Sequence, residues 1–119
     1  MENKEFAKGL EERTKKFAVS IIRLAALLPS TPEGSVIRYQ ITKSGTSIGA
    51  NYRESNRARS KADFNSKIRI CESEASETLY WLEIITDFDW INNQKVESVL
   101  KEAKELLAIF TSIGKTSRL

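Results

Sequence analysis

The sequence predicts an all-α protein, specifically an antiparallel up-down four-helix bundle. Three observations support this fold class: four segments space their apolar residues at a helical period, no segment alternates as a strand does, and the connections are short. The chain has 119 residues, with only 5 Gly and 2 Pro, and 40% of them are hydrophobic. This length suits a single domain over residues 1–119 with one core. The predicted helices cover approximately residues 4–28, 35–57, 61–87 and 94–114.

The first predicted helix has one apolar stripe, and two prolines lie just beyond it. Pro29 and Pro32, with a serine and a threonine between them, are predicted to end the helix. Since the apolar residues follow steps of three, four or seven, they lie on one helix face. They are Phe6, Leu10, Phe17, Ile21, Leu24 and Leu28.

The second predicted helix contains the small-residue run SGTSIGA at residues 44–50, which also suggests a phosphate-binding loop. A P-loop needs a lysine after its second glycine and a strand before it, and neither is found here. Gly45 and Gly49 are four residues apart and share a helix face, where each costs ~1 kcal/mol relative to alanine. We expect close packing against a neighbouring helix to offset that cost. Helical stepping continues through the run at Ile37, Ile41, Ser44, Ile48 and Asn51.

The third predicted helix has the strongest pattern, and a fourth follows a turn at residues 89–93. Ser60, with Asp63 three residues later, resembles a capping box at the start of the third helix. A second row, which includes Glu74 and Glu77, runs beside the main apolar row, and we expect both rows to be buried. The main row consists of Phe64, Ile68, Cys71, Ala75, Thr78, Leu82 and Ile85.

The composition argues against several classes of function. The chain has no histidine, which is the usual general base at neutral pH and a common metal ligand. Cys71 is the only cysteine, so no internal disulfide can form, and its place on the apolar seam favours a packing role. No apolar run approaches the ~20 residues that cross a membrane. We therefore expect a cytoplasmic protein that is not an enzyme, with no catalytic residue, no metal site, no cofactor and no membrane partner.

Three glutamates are candidates for a polar site. Glu54, Glu74 and Glu77 are predicted to face the interior with Asn51 and to form a structural polar network, since a buried carboxylate must be paired or hydrogen-bonded. The alternative is a hydrolase or a metal enzyme built on these glutamates. Di-iron bundles require E-x-x-H pairs, however, and the chain has no histidine to form them.

A cluster of basic residues spans the end of the second helix and the start of the third. Residues 51–69 hold six basic side chains against two acidic ones, a net charge of +4, whereas residues 70–119 hold five against nine, a net of −4. Arg53, Arg57 and Lys61 are four residues apart and form one ridge if the helix continues far enough, and a positive ridge attracts the phosphates of RNA or DNA. The alternative is a solvated face with salt bridges between residues four apart. The six candidate nucleic-acid-binding residues are Arg53, Arg57, Arg59, Lys61, Lys67 and Arg69.

The run SGTSIGANYRESNRARSKADFNSKIRICESEASETLYWLEII resembles the four-helix bundle family named after the intervening sequences of 23S ribosomal RNA. The family pattern is S-I-x-A-N-x-x-E, then S-K-A-D-F with a lysine, then E-A-x-E-T-x-Y-W-L. Many members have a glycine after the glutamate of the first motif, where this chain has Ser55. The matching residues are Ser47, Ile48, Ala50, Asn51, Glu54, Ser60, Lys61, Ala62, Asp63, Phe64, Lys67, Glu74, Ala75, Glu77, Thr78, Tyr80, Trp81 and Leu82.

The resemblance implies an antiparallel four-helix bundle assembled as a ring-shaped homopentamer, with no established enzymatic activity. Some members are encoded inside ribosomal RNA genes, and a similar bundle is the accessory subunit of diversity-generating retroelements. Our first hypothesis is therefore a non-enzymatic oligomer that binds RNA or DNA backbones. The alternative is a scaffold that binds only proteins, through exposed apolar side chains such as Trp90 or Ile109.

Overall fold

The computed structural model describes residues 3–118, and four α-helices account for most of them. The helices are α1 (Lys4–Ala25), α2 (Pro32–Ser55), α3 (Lys61–Asp87) and α4 (Asn93–Ser117). No strand occurs among the described residues. The prediction of an all-helical protein with four helices is therefore confirmed. None of these helices has an apolar stretch of the length that a bilayer crossing requires.

Each helix begins with a side-chain cap. The side chains of Asn3, Thr31, Ser60 and Asn92 accept a hydrogen bond from a backbone N–H in the first turn of α1, α2, α3 and α4, respectively. At the start of α3, the Asp63 N–H donates to Ser60 Oγ at 3.0 Å, as the capping motif predicted. Each cap satisfies a donor that the helix itself leaves unpaired, and is typically worth about 1 kcal/mol.

The first helix ends at Ala25, three residues before the predicted end at Leu28. The guanidinium of Arg38, in α2, donates to the carbonyls of Ala25 at 3.2 Å, Leu28 at 2.7 Å and Pro29 at 3.1 Å. Carbonyls at a helix end have no partner within the helix. The arginine supplies those partners, so the chain can leave the helix before the prolines are reached.

The second helix begins at Pro32 and not at residue 35, and it ends at Ser55 and not at residue 57. Its start is earlier because Thr31 caps it and proline is well suited to the first helical position.

The fourth helix continues beyond the predicted end at Gly114 to Ser117. A glycine ends a helix where the chain turns into the left-handed region, and Gly114 does not have the positive φ of that region.

One hydrophobic core runs along the inner faces of the helices. Among neighbouring helices, α2 contacts α3 most extensively, and α1 and α4 contact each other least. The ring of Tyr52 meets the ring of Phe110 edge-on, with their centroids 5.4 Å apart. Between α2 and α3, Thr78 Oγ1 donates to Ser44 Oγ at 2.9 Å. The largest fully buried side chains are Tyr52, Phe110, Ile21, Ile41, Ile48, Ile68, Leu82, Ile85 and Leu106.

The small-residue run is helical, and its two glycines bring α2 close to α1. A Cβ atom added to Gly45 would lie only 2.7 Å from Ile21 Cγ2, and one added to Gly49 would lie 3.0 Å from Thr14 Oγ1. Real Cβ atoms essentially never come as close as the first of these distances. The glycines therefore permit a helix contact that larger residues would obstruct.

An ion-pair cluster joins α1 to α4, which is the least extensive contact between neighbouring helices. The Arg13 guanidinium donates to both carboxylate oxygens of Glu102 at 2.7 Å and to Glu105 at 2.8 Å. The hydrogen bonds to Glu102 are the largest cause that raises the pKa of Arg13. Because these side chains are partly solvated, the cluster contributes no more than about 1 kcal/mol per pair.

Candidate nucleic-acid interface

The structure spreads the six predicted basic residues over α2, the connection to α3, and α3 itself. Arg53 lies in the last turn of α2, Arg57 and Arg59 lie in the connection, and Lys61 is the first residue of α3. Lys67 and Arg69 follow about 9 and 12 Å further along α3, at 1.5 Å per residue. Five of the six residues are exposed and Lys67 is half-buried.

The predicted single ridge through Arg53, Arg57 and Lys61 is not continuous. The ridge required α2 to extend past Arg57, but α2 ends at Ser55 and the Ala58 N–H bonds to the Ser55 carbonyl in a turn. Likewise, Lys67 and Arg69 are two residues apart on α3 and lie about 200° apart around its axis. The compact part of the cluster is therefore the α2–α3 connection and the start of α3.

Ion pairs compensate very little of this positive charge. Arg53 Nε lies 3.6 Å from Glu11 Oε1, which is a weak, solvent-exposed pair. Among residues 3–118, none of the other five basic residues forms an ion pair. The alternative interpretation therefore holds only in part, since this face is solvated but its described side chains form no salt bridge between residues four apart.

Two lysines of α1 join the basic residues at the same end of the molecule. Lys4 and Lys8 line a groove together with Arg59, Lys61 and Phe64. Asn56 Nδ2 donates to Glu11 Oε2 at 2.9 Å, and this contact holds the α2–α3 connection against α1. We call the set Lys4, Lys8, Arg57, Arg59 and Lys61 the basic end.

Sequence reasoning did not find Lys4 and Lys8, because they lie about fifty positions from the rest of the basic end. Their spacing of four places them on one face of α1, and that local signal was present in the sequence. Which partner that face meets depends on how α1 packs against the α2–α3 connection. A local pattern does not contain this information.

The polar network predicted from Asn51, Glu54, Glu74 and Glu77 needs correction. Glu54 and Glu77 are exposed, while Asn51 and Glu74 are half-buried. Each residue of a helix turns by 100°, and Glu54 precedes the buried Ser55 by one position. Glu74 and Glu77 likewise precede the buried residues of the main row by one position. The second row therefore lies on the flank of α3 and not in the core.

Two of the four network residues, Asn51 and Glu77, form hydrogen bonds within their own helices. Asn51 Nδ2 donates to the Ser47 carbonyl at 2.9 Å, and Trp81 Nε1 donates to a Glu77 oxygen at 3.1 Å. The pKa of Glu74 is raised, chiefly by partial burial and then by the Glu77 charge, while Lys43 of α2 acts in the opposite direction. Glu74 thus feels charges from both helices.

The described part of the chain holds no group of three Cys, Asp or Glu side chains arranged to ligate a metal ion. Cys71 is fully buried in the core, with its Sγ 3.5 Å from the Ile48 carbonyl oxygen. This burial agrees with the packing role expected for it.

The family model described as 23S rRNA-intervening sequence protein matches residues 10–112 of the chain. The chain belongs to this family. A protein of unknown function from the S23 ribosomal protein family of Bacteroides thetaiotaomicron has a similar crystal structure, with a TM-score of 0.81 and 39% identity. The similarity covers 88% of this chain and 97% of that one. No curated protein shows a significant match.

Membership of the 23S rRNA-intervening sequence protein family confirms the resemblance predicted from the motifs. The matched residues, 10–112, contain all six basic residues predicted from the sequence. Lys4 and Lys8 lie before the matched region. The α1 side of the groove that they line therefore lies outside the region that the family match covers.

Proposed function

We propose that the protein is a non-enzymatic binding protein whose basic end contacts the phosphate backbone of RNA or DNA. The observation that carries the proposal is the clustering of five exposed cations at one end of the molecule. Among the described residues, no member of the basic end forms an ion pair, although 16 acidic residues are available in the chain. Cations that are held apart from carboxylates remain available to an external polyanion.

The proposed binding is electrostatic and independent of sequence. Each phosphate that a lysine or arginine neutralises releases condensed counterions, so affinity falls as salt rises. The basic end has no row of exposed aromatic side chains on which successive bases could stack. Recognition would therefore depend on the backbone and its shape, as the sequence predicted.

The test is a salt series of RNA binding, read as fluorescence anisotropy of a labelled single-stranded RNA. Arg57→Ala with Arg59→Ala removes two exposed cations from the basic end, and Lys95→Ala with Lys101→Ala removes two exposed cations from α4. Both variants change the net charge equally. We expect the first variant alone to lower the salt slope, by about 1.4 for two lost contacts to a single strand. Equal binding by both variants would contradict the proposal.

We further propose that the helices form an antiparallel up-down bundle and that copies assemble as a ring-shaped homo-oligomer, which the family resemblance implies is a pentamer. Apolar surface at the other end of the molecule supports assembly. Val36 is 58% exposed, Tyr39 is 63% exposed and Phe88 is 51% exposed. Trp90 and Ile109, which we expected to form such contacts, instead pack against the core.

The same surface favours the second candidate function, a scaffold or accessory subunit that contacts only proteins. Light scattering of the purified protein tests assembly, and Val36→Ser with Tyr39→Ser is expected to lower the particle mass. Tyr80→Ser, which changes a tyrosine of similar exposure on α3, is the control. A wild-type mass of one chain would exclude self-assembly and would leave the RNA measurement unaffected.

A further inference from the structure

The groove at the basic end has the size and lining of a ligand site. Its volume is about 810 Å³, within the usual range for small-molecule sites. α1 and α3 begin at this groove, and α2 and α4 end at it. Its apolar part consists of side chains from α1, the α2–α3 connection and α3, namely Ala7, Ala58 and Phe64.

The charge of the groove comes from its side chains. Lys4, Lys8, Arg59 and Lys61 line it, and among the described residues of its lining Glu11 is the one carboxylate. Glu11 is already engaged by Arg53 and by Asn56. Since two helices begin here and two end here, their opposed dipoles largely offset each other. The four cations therefore dominate the local potential.

A buried polar atom on the wall of the groove also lacks a partner. Ser117 Oγ, at the end of α4, is inaccessible to solvent and makes no hydrogen bond among the described residues. A buried hydroxyl without a partner typically costs about 1–3 kcal/mol. Because this atom is closed to solvent, a ligand in the groove would reach it only after a shift at the end of α4.

We propose that this groove binds a nucleotide through its terminal phosphomonoester, with the phosphate at the four cations and the base against Phe64. A phosphomonoester carries a charge of about −1.5 to −2 at pH 7, and such a group suits several cations better than an internal phosphodiester does. Arg59 offers the planar fork that pairs with two phosphate oxygens. The nucleotide is either the end of a strand or a free mononucleotide.

This inference rests on the proposed function and adds to it the position of a strand end. Arg57 lies outside the groove and Arg59 and Lys61 lie on its lining, so a strand that begins in the groove can continue over the rest of the basic end. Backbone binding alone would treat every phosphate alike. End binding instead predicts a preference for strands that carry a terminal phosphate.

The experiment compares four probes by calorimetric titration at fixed salt: one RNA decamer with hydroxyl ends, the same decamer with a 5′-phosphate, the same decamer with a 3′-phosphate, and AMP. We expect one of the phosphorylated strands to bind at least fivefold more tightly than the hydroxyl strand. Lys4→Ala with Lys8→Ala should remove this difference. Lys15→Ala with Lys16→Ala, two exposed positions further along α1, should preserve it.

The substitutions at Lys4 and Lys8 do not endanger the fold. Both residues lie in the first turns of α1, where the helix dipole disfavours positive charge, and alanine is the best helix former. Binding of AMP together with equal binding of all three strands would assign the groove to a free nucleotide.

Equal binding of the three strands without any binding of AMP would overturn the inference and leave salt-dependent backbone binding in place. Binding of none of the four probes would overturn the inference and the proposed function together.

Discussion

Replacement of Gly45 by alanine tests whether close contact between α1 and α2 requires a glycine. The new Cβ would lie 2.7 Å from Ile21 Cγ2 and 2.9 Å from Ile21 Cγ1, and Ile21 is fully buried. Overpacking of this kind costs about 1–3 kcal/mol. Alanine recovers about 1 kcal/mol of helix propensity, so the net loss in the free energy of unfolding is about 0–2 kcal/mol.

Gly9 provides the matched control, because it also lies inside a helix. A Cβ added there has nothing within 4 Å, and the position is exposed. Gly9→Ala should therefore increase the free energy of unfolding by about 0.5–1 kcal/mol. Both variants gain the same helix propensity, so the difference between their free energies of unfolding leaves only the steric cost at Gly45, about 1–3 kcal/mol.

The assay is urea unfolding followed by circular dichroism, with all variants at one protein concentration because assembly would make stability depend on it. Ile21→Ala removes both atoms of closest contact, so Gly45→Ala should cost less in that background than in the wild type. This coupling is read from a double-mutant cycle. A Gly45→Ala protein as stable as Gly9→Ala would refute the argument that α1 contacts α2 through the glycine face.

Two further predictions concern polar groups between α2 and α3. Because the pKa of Glu74 is raised, its contribution to stability is present below the pKa of the unfolded state and is lost as pH rises through the folded-state pKa. Glu74→Gln should therefore flatten the loss of stability between acid and neutral pH, measured as the urea midpoint, and an unchanged profile would contradict this. Thr78→Val leaves Ser44 Oγ without its buried donor, so it should lower the free energy of unfolding by about 1–3 kcal/mol, whereas the exposed Thr116→Val should change it little.

The helices could be predicted because their signal is local. Apolar spacing and the capping pair at Ser60 depend on residues within a few positions of each other, and these features identified all four helices. The ends of α1 and α2 were predicted less accurately. The end of α1 depends on Arg38, which reaches the carbonyls of Ala25 and Leu28 from another helix.

The candidate site could be predicted only in part, for two physical reasons. The basic residues of the α2–α3 connection are adjacent in sequence, but Lys4 and Lys8 meet them only through tertiary packing. The glutamates show the second reason, since a shift of one residue rotates a side chain by 100° and separates a flank position from a core position. Glu77 lies at an exposed flank position and therefore cannot take part in an interior network.

The exposed apolar residue Val36, near the start of α2, lies about 28 Å along that helix from its last residue, where the α2–α3 connection of the basic end begins, in a molecule whose longest extent is 44 Å. Because its two ends differ in charge and hydrophobicity, the molecule restricts how identical copies can be oriented in a closed assembly. Rotation about a single axis preserves the sense of each copy along that axis, so in a cyclic ring whose axis follows the long axis of each copy every basic end would lie on the same face. The apolar residues would lie toward the opposite face, where contacts between neighbouring copies would bury them.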